Sequence, residues 1–281
     1  MKVGIFHYLS TAYSIDPVVL AKRAEELGFD SFWLPEHPIM PVTTVSPFPL
    51  GGPIPDFYSA LIDPFVGLAR ASAVTKTIKL GTGICLVPER NPLLLAKEIA
   101  TLDHFSGGRF IFGIGAGWVK EETEIMGGDF AHRWAQTQDA ILAIKALWTQ
   151  EEAEYHGRYY DFPPVRSFPK PAQKPHPPIV LGSITSRHVF QRVVAWGDGW
   201  MPVGASLEEM QHGREILNEL AVQAGRDPRS IQVVAFFAPP DPEVLQALEE
   251  AGADAALVAL EIAGEQEALA KLEEIAQTVL P

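Results

Sequence analysis

Eight times along this chain a short run rich in Val, Ile, Leu or Phe is followed by a longer segment whose apolar residues recur with helical spacing. That alternation is the pattern of parallel strands joined by crossover helices. The runs are "KVGIFHY", "SFWLP", "IKLGTGICLV", "GRFIFGIGAGW", "PPIVLGS", "GDGWMPV", "IQVVAFFA" and "AALVALE". Helices are predicted over 16–27, 64–73, 91–105, a region ending near Trp148, 187–195, 207–224, 242–251 and 265–279. The third has readable ends: Asn91 suits the cap, Pro92 the first turn, and Gly107 and Gly108 the stop. Eight strand and helix pairs within 281 residues are what a closed (β/α)8 TIM barrel requires, and they exceed the usual count of an open doubly wound sheet. The expected fold is therefore α/β, one barrel domain spanning 1–281.

Two stretches fall outside the repeat. Residues 36–62 are rich in proline and glycine, and residues 153–176 contain "YHGRYYDF" and "FPKPAQKPHPP". Both exceed the length of plain connectors, and long loops of this kind serve as lids or binding loops. Both are expected over the C-terminal mouth of the barrel, where barrel active sites lie.

Composition narrows the partners. A net charge of −13 without any cluster of Lys and Arg argues against nucleic acid and anionic membranes and leaves small molecules. The single cysteine, Cys85, excludes a disulfide framework, and "MKVGIFHYLS" reads as a strand instead of a targeting segment. No apolar run approaches the roughly 20 residues of a membrane span. A cytoplasmic protein is expected. The familiar short motifs are missing: a dinucleotide fingerprint fails because Trp118 stands three after Gly115, and no phosphate loop, hydrolase elbow or zinc spacing occurs, so no metal is expected.

The fourth run carries glycine at every second position, Gly113, Gly115 and Gly117, and the third carries Gly81 and Gly83. Glycine is placed where a backbone must approach a ligand closely, so two neighbouring strands stripped of side chains could form a recess for a planar ring. Small residues that fill the taper of a barrel interior are the alternative. On the alternation, Gly113 belongs to the interior and Gly115 and Gly117 lie nearest the ring.

The stretch "GTGICLVPERNPLLLAKEIATLDHFSGGRFIFGIGAGWVKEE" resembles the luciferase-like monooxygenase superfamily, in particular its branch of coenzyme F420-dependent oxidoreductases. Supporting stretches are "AEELGFDSFWLPEH", "LWTQEEAEYHGRYYDF", "PPIVLGS", "GDGWMP" and "PPDPEVLQALEEAGADAALVAL", so the resemblance covers nearly the whole chain. It implies a barrel with a flavin or 5-deazaflavin at its mouth, and a homodimer. The ring would lie against a bulge after the third strand, at Gly83, Ile84 and Cys85, with a non-proline cis peptide at Gly83-Ile84 or Ile84-Cys85. Phosphate contacts are implied at the turn after the fifth strand, in "LGSITSRH", from Gly182, Ser183 and Ser186. A helix N-terminus there suits an anion, although a cap from Ser183 or Thr185 without any ligand would look the same.

Glu36 and His37, ending the second strand in "LPEHP", are expected at the rim beside the ring as catalytic residues, and by the same resemblance His37 is the acid-base residue of a hydride step. An imidazole titrating near neutrality can take a hydroxyl proton as hydride leaves the same carbon. A rim histidine that braces the lid is the other reading of His37. His7, ending the first strand, is a further candidate for the pocket, or else a satisfied core histidine. Trp118 walls the ring pocket or packs in the core; relatives with an acidic residue there assign it to catalysis. Glu121 and Glu122 come late in sequence for that role. Arg133 is a candidate contact for the cofactor's phosphate or tail, against an ordinary surface ion pair, and Arg90 for a bracket of the loop. The chain is thus expected to move hydride between F420 and a small organic substrate. An FMN-dependent monooxygenase and a non-catalytic flavin-binding protein of the same fold remain as alternatives.

Overall fold

The computed structural model describes residues 1–10, 14–49 and 51–280. Eight parallel strands form the barrel: β1 (Lys2–His7), β2 (Ser31–Leu34), β3 (Lys79–Thr82), β4 (Phe110–Gly115), β5 (Ile179–Ser183), β6 (Gly199–Pro202), β7 (Gln232–Ala238) and β8 (Ala255–Leu260). Each pairs with the next in this order, and β8 lies in register with β1, from Lys2 opposite Ala255 to His7 opposite Leu260, which closes the sheet. After Thr82 the third strand is interrupted and resumes as Cys85–Leu86, opposite Ile114 and Gly115. Helices α1 (Pro17–Leu27), α2 (Pro64–Ser72), α3 (Pro92–Ser106), α4 (Lys120–Ile125), α5 (Arg133–Thr149), α6 (Arg187–Trp196), α7 (Leu207–Gln223), α8 (Pro242–Glu250) and α9 (Glu265–Val279) follow the strands. Among the described residues no helix is long and apolar enough to cross a membrane.

Local chemistry sets the ends of these elements. Asn91 accepts hydrogen bonds from the Leu93 and Leu94 amides, and Gly107, at φ +71°, stops α3 in the left-handed conformation that glycine adopts without steric cost. Asp16, Asp63, Ser186 and Asp241 cap α1, α2, α6 and α8, and Ser206 with Glu209 forms a reciprocal capping box on α7. The helical region expected before Trp148 is two helices, because Gly127, at φ +88°, ends α4 before Asp129 turns the chain into α5.

Strand alternation divides the core into two layers. Phe6, Trp33, Val180, Met201, Val234 and Leu257 point into the lumen and pack on one another. Their neighbours, among them Ile5, Phe32, Leu34, Phe110 and Phe112, point outward against the helices. The Trp33 indole accounts for two of the glycines. A Cβ at Gly81 would stand 2.3 Å from the ring, and one at Gly113 would stand 1.9 Å from the Thr82 carbonyl oxygen and 3.0 Å from the ring. The lower part of the expected recess is therefore filled by a tryptophan, which fits the placement of Gly113 in the packed interior.

The insertions differ in position. Residues 36–49 and 51–62 pass over the mouth and include a short 3-10 turn, Asp56–Ala60. Residues 153–176, also expected at the mouth, contribute nothing to the cavity there. They form an antiparallel hairpin, Ala153–His156 with Asp161–Val165, along the outside of α5, where Asp139 accepts from Tyr155, Tyr159 and Tyr160. Gln173 then reaches Asp103 and the Phe110 carbonyl at the start of β4. The cause is topological: this segment follows a helix and leads into a strand, so it must deliver the chain to the N-terminal end of the barrel.

Gly113→Ala is expected to destabilise the barrel by about 3 kcal/mol, since the new methyl meets backbone that cannot yield. Urea unfolding of the variant checks this; an unchanged midpoint would contradict the packing described.

Candidate active site

A cavity of about 340 Å³ opens at the C-terminal ends of the strands. Its floor is built from the interrupted third strand. The Gly83-Ile84 peptide is cis, the Gly83 amide donates to the Leu34 carbonyl at 2.7 Å, and Gly83, Ile84 and Leu86 all face the cavity. The Ile84 side chain covers the glycines beside it: a Cβ at Gly115 would lie 1.9 Å from its Cδ1, and one at Gly182 would lie 2.7 Å from its Cγ2. Gly115 is thus roofed by Ile84 and does not border the cavity, contrary to the sequence expectation, whereas Gly117 (φ +82°) and Gly182 do. Cys85 is fully buried behind this floor, its thiol pushed well up by burial, and it too lies outside the cavity lining.

His37 stands at the edge of this space with its Nδ1 2.7 Å from Glu122 Oε2. Glu122 sits on α4 and is wholly buried, and its carboxylate makes no other hydrogen bond among the described residues, its Oε1 being without a partner. With Nδ1 engaged, Nε2 is the ring nitrogen left for a molecule in the cavity. Ring edges surround the imidazole, with Tyr58 at 5.2 Å and Trp118 at 5.6 Å between centroids, and Phe48 packs on both. Trp118 therefore walls the cavity. Tyr8 and Tyr58 face one another, hydroxyl to hydroxyl at 3.4 Å, and burial pushes both phenols up.

Two residues expected as catalytic are committed elsewhere. Glu36 borders the cavity, but its carboxylate accepts from the Leu86 amide at 2.7 Å and from Arg90 Nε at 2.6 Å, so it ties the floor to the loop. Arg90 also holds Asp63 and Glu98, which makes it the bracket that the sequence suggested. His7 points outward from β1, away from the cavity that its neighbours Phe6 and Tyr8 border, as strand alternation requires. Its Nδ1 bonds the Leu260 carbonyl at 3.0 Å and burial pulls its pKa down, so it is a core histidine as in the alternative reading, but one satisfied on one side alone, since its buried Nε2 has no partner among the described residues.

Polar groups also border the cavity. Gly182, Ser183 and Ile184 border it at the end of β5, and Ser186, one turn later, is outside the lining because its hydroxyl caps α6 through the Val189 amide. Arg133 borders the cavity with Nε on the Gly117 carbonyl and Nη1 on the Phe130 carbonyl. Among the described residues no carboxylate pairs with it, and burial alone pulls its pKa down. A half-buried guanidinium without a counterion is suited to an anionic group.

The luciferase-like monooxygenase profile matches residues 16–277. The chain belongs to the luciferase-like monooxygenase family. Among its relatives is an uncharacterized protein of Mycobacterium tuberculosis, 36% identical over 265 residues, which are 93% of each chain. Solved structures of similar fold include a monooxygenase from Streptomyces bottropensis, with TM-score 0.81 and 21% identity over 100% of this chain and 99% of that one. Another is the coenzyme F420 dependent tetrahydromethanopterin reductase of Methanopyrus kandleri, with TM-score 0.76 and 19% identity over 100% and 98%. Proteins of similar fold thus include both an F420-dependent reductase and a monooxygenase solved in complex with FMN.

In this luciferase-like chain the residue that sequence alone passed over is Glu122. One signal was present: Glu122 lies three after Val119, which places an acidic residue on the buried face of α4. Its neighbour Glu121 faces the other way and clasps the insertion, accepting from the Thr44 hydroxyl at 2.7 Å, the Val45 amide at 3.0 Å and the Ser46 hydroxyl at 3.0 Å. The Val45 amide and the two hydroxyls hold its carboxyl down at about 2, so the clasp is complete above the ordinary carboxylate range and is lost as pH falls toward that value. Glu121→Ala is expected to raise the rate of limited proteolysis within residues 38–56 several-fold at neutral pH. Cleavage at the parent's rate would show that the insertion is held by other contacts.

Proposed function

We propose that this protein is an oxidoreductase that moves hydride between bound coenzyme F420 and a small, neutral organic alcohol or carbonyl compound. The observation that carries this reading is the buried His37–Glu122 pair at the edge of the cavity. A hydroxyl that loses hydride from its carbon must also lose its proton, and a carboxylate-oriented imidazole is built for that transfer. Glu122 fixes the orientation of the ring, and Nε2 takes the hydroxyl proton or returns it in the reductive direction. Tyr58, Trp118 and Phe48 keep water from the exchange and leave an apolar space for the substrate's carbon skeleton. Those rings border the cavity without filling it, which favours an enzyme over a non-catalytic flavin binder.

The residues present fit the cofactor. Ile84 and the Gly83-Ile84 backbone offer a flat apolar seat, and Ser183 with Arg133 offers donors for an anionic group. Arg187, exposed and without a carboxylate partner among the described residues, opens α6 close by and adds a cation for an acidic tail. When bound, a 5-deazaflavin supplies the hydride acceptor or donor and reacts poorly with oxygen. A second reading, an FMN-dependent monooxygenase, is favoured by the scarcity of cations at the mouth of a chain with net charge −13, since a single phosphate needs fewer partners than a glutamyl tail.

Fluorescence titration of the purified protein is expected to show tighter binding of F420 than of FMN. His37→Ala should lower F420-coupled turnover about 100-fold or more while leaving cofactor affinity within a few fold. Tighter FMN binding would transfer the assignment to the monooxygenase, and an unchanged rate in the variant would remove His37 from the chemistry.

A further inference from the structure

Three acidic side chains are buried around His37, and two of them have partners that call for a negative charge. Glu36 receives the Leu86 amide and Arg90, and Glu122 holds His37 through Oε2. The third, Glu89, stands in the turn that follows Leu86, is 3% exposed, and has no cationic partner within ion-pair distance among the described residues. Its Oε1 lies 2.8 Å from the Thr123 hydroxyl, and its Oε2 has no hydrogen-bond partner among them.

The Thr123 hydroxyl decides the protonation of Glu89. That oxygen is also 3.1 Å from the Val119 carbonyl, and a hydroxyl has one hydrogen to give. Were Glu89 a carboxylate, it and the carbonyl would compete for that hydrogen, and its second oxygen would be a bare buried anion. A neutral Glu89 resolves the geometry: its own O–H donates to the Thr123 oxygen, and Thr123 donates to the Val119 carbonyl. The surrounding charges agree. Glu122 and Glu36 act on Glu89 with negative charge; the Arg90 guanidinium works the other way but is already shared among Glu36, Asp63 and Glu98. Burial, followed by the charge of Glu122, pushes the Glu89 carboxyl up to about 8.

We propose that Glu89 stands beside the His37–Glu122 pair as a neutral carboxylic acid, a positioning residue that spares the imidazole a further negative charge beside Glu122. Its part in turnover rests on the acid-base reading of His37 given above. Loss of its proton sets Glu89 against Glu122, and adds one more negative charge to the field in which the imidazole sits.

The test needs neither cofactor nor substrate. Infrared difference spectra of the parent protein should show a protonated-carboxyl carbonyl band at neutral pH that is lost as the pH is raised through about 8. The band should be missing in Glu89→Gln and shifted but retained in Thr123→Val, which keeps the assignment testable if the first variant does not fold. The His37 ring resonances should show a second inflection at the same pH in the parent, lost in Glu89→Gln. Absence of the band in the parent, its persistence in Glu89→Gln, an unshifted band in Thr123→Val, or a single His37 inflection in the parent would overturn the proposal. If band and inflection are found but F420 does not bind, the hydride-transfer reading fails and the protonation of Glu89 stands.

Discussion

Closure of the sheet, β8 against β1, is the constraint on which everything else depends. Once eight strands share hydrogen bonds around a ring, every second side chain must enter a narrow lumen and every other one must face the helices. That rule sends Phe6 inward and His7 outward. It also gives Trp33 a space that only glycine neighbours can leave open, at Gly81 and Gly113. The chemistry is confined to the loops at the end of the strands, where the alternation stops.

At that end three segments far apart in sequence are tied into one wall. The loop after β2 brings Glu36 and His37, the interrupted third strand brings Ile84, Leu86, Glu89 and Arg90, and α4 brings Glu121 and Glu122. Nearly all the ties are charge-assisted: Glu36 with Arg90 and the Leu86 amide, His37 with Glu122, Glu121 with the 44–46 turn. In a low-dielectric setting such bonds are strong when complete and costly when one partner is removed, so the wall holds its geometry without help from a ligand. Rings shield the imidazole, and Arg133, whose guanidinium has no carboxylate partner among the described residues, borders the same cavity.

Much of the scaffold was legible in the sequence because it depends on local periodicity. Strand and helix order, the Asn91 cap and the Gly107 stop follow from spacing and residue type alone. The cis peptide at Gly83-Ile84 came from family resemblance, as did His37 at the rim. What was not legible depends on contacts between distant segments. Gly115 looked open because nothing in its own strand shows that the Ile84 side chain roofs it. Glu36 looked as available as His37, and only the fold reveals that Arg90 and the Leu86 amide occupy it. The His37–Glu122 bond joins residues 85 apart, so spacing within either segment could not disclose it. The length of the stretch 153–176 points to the mouth, whereas its place is set by following α5 toward the start of β5.

The central claim is that a hydride-carrying ring lies on the Ile84 floor with its reactive carbon open to His37. A crystal structure of the protein with F420 tests this most directly. The account predicts the ring against Gly83 and Ile84, an anionic group at Ser183 and Arg133, and His37 Nε2 facing the space above the ring while Nδ1 keeps its bond to Glu122. A ring seated elsewhere, or an imidazole turned so that neither nitrogen faces that space, would contradict it.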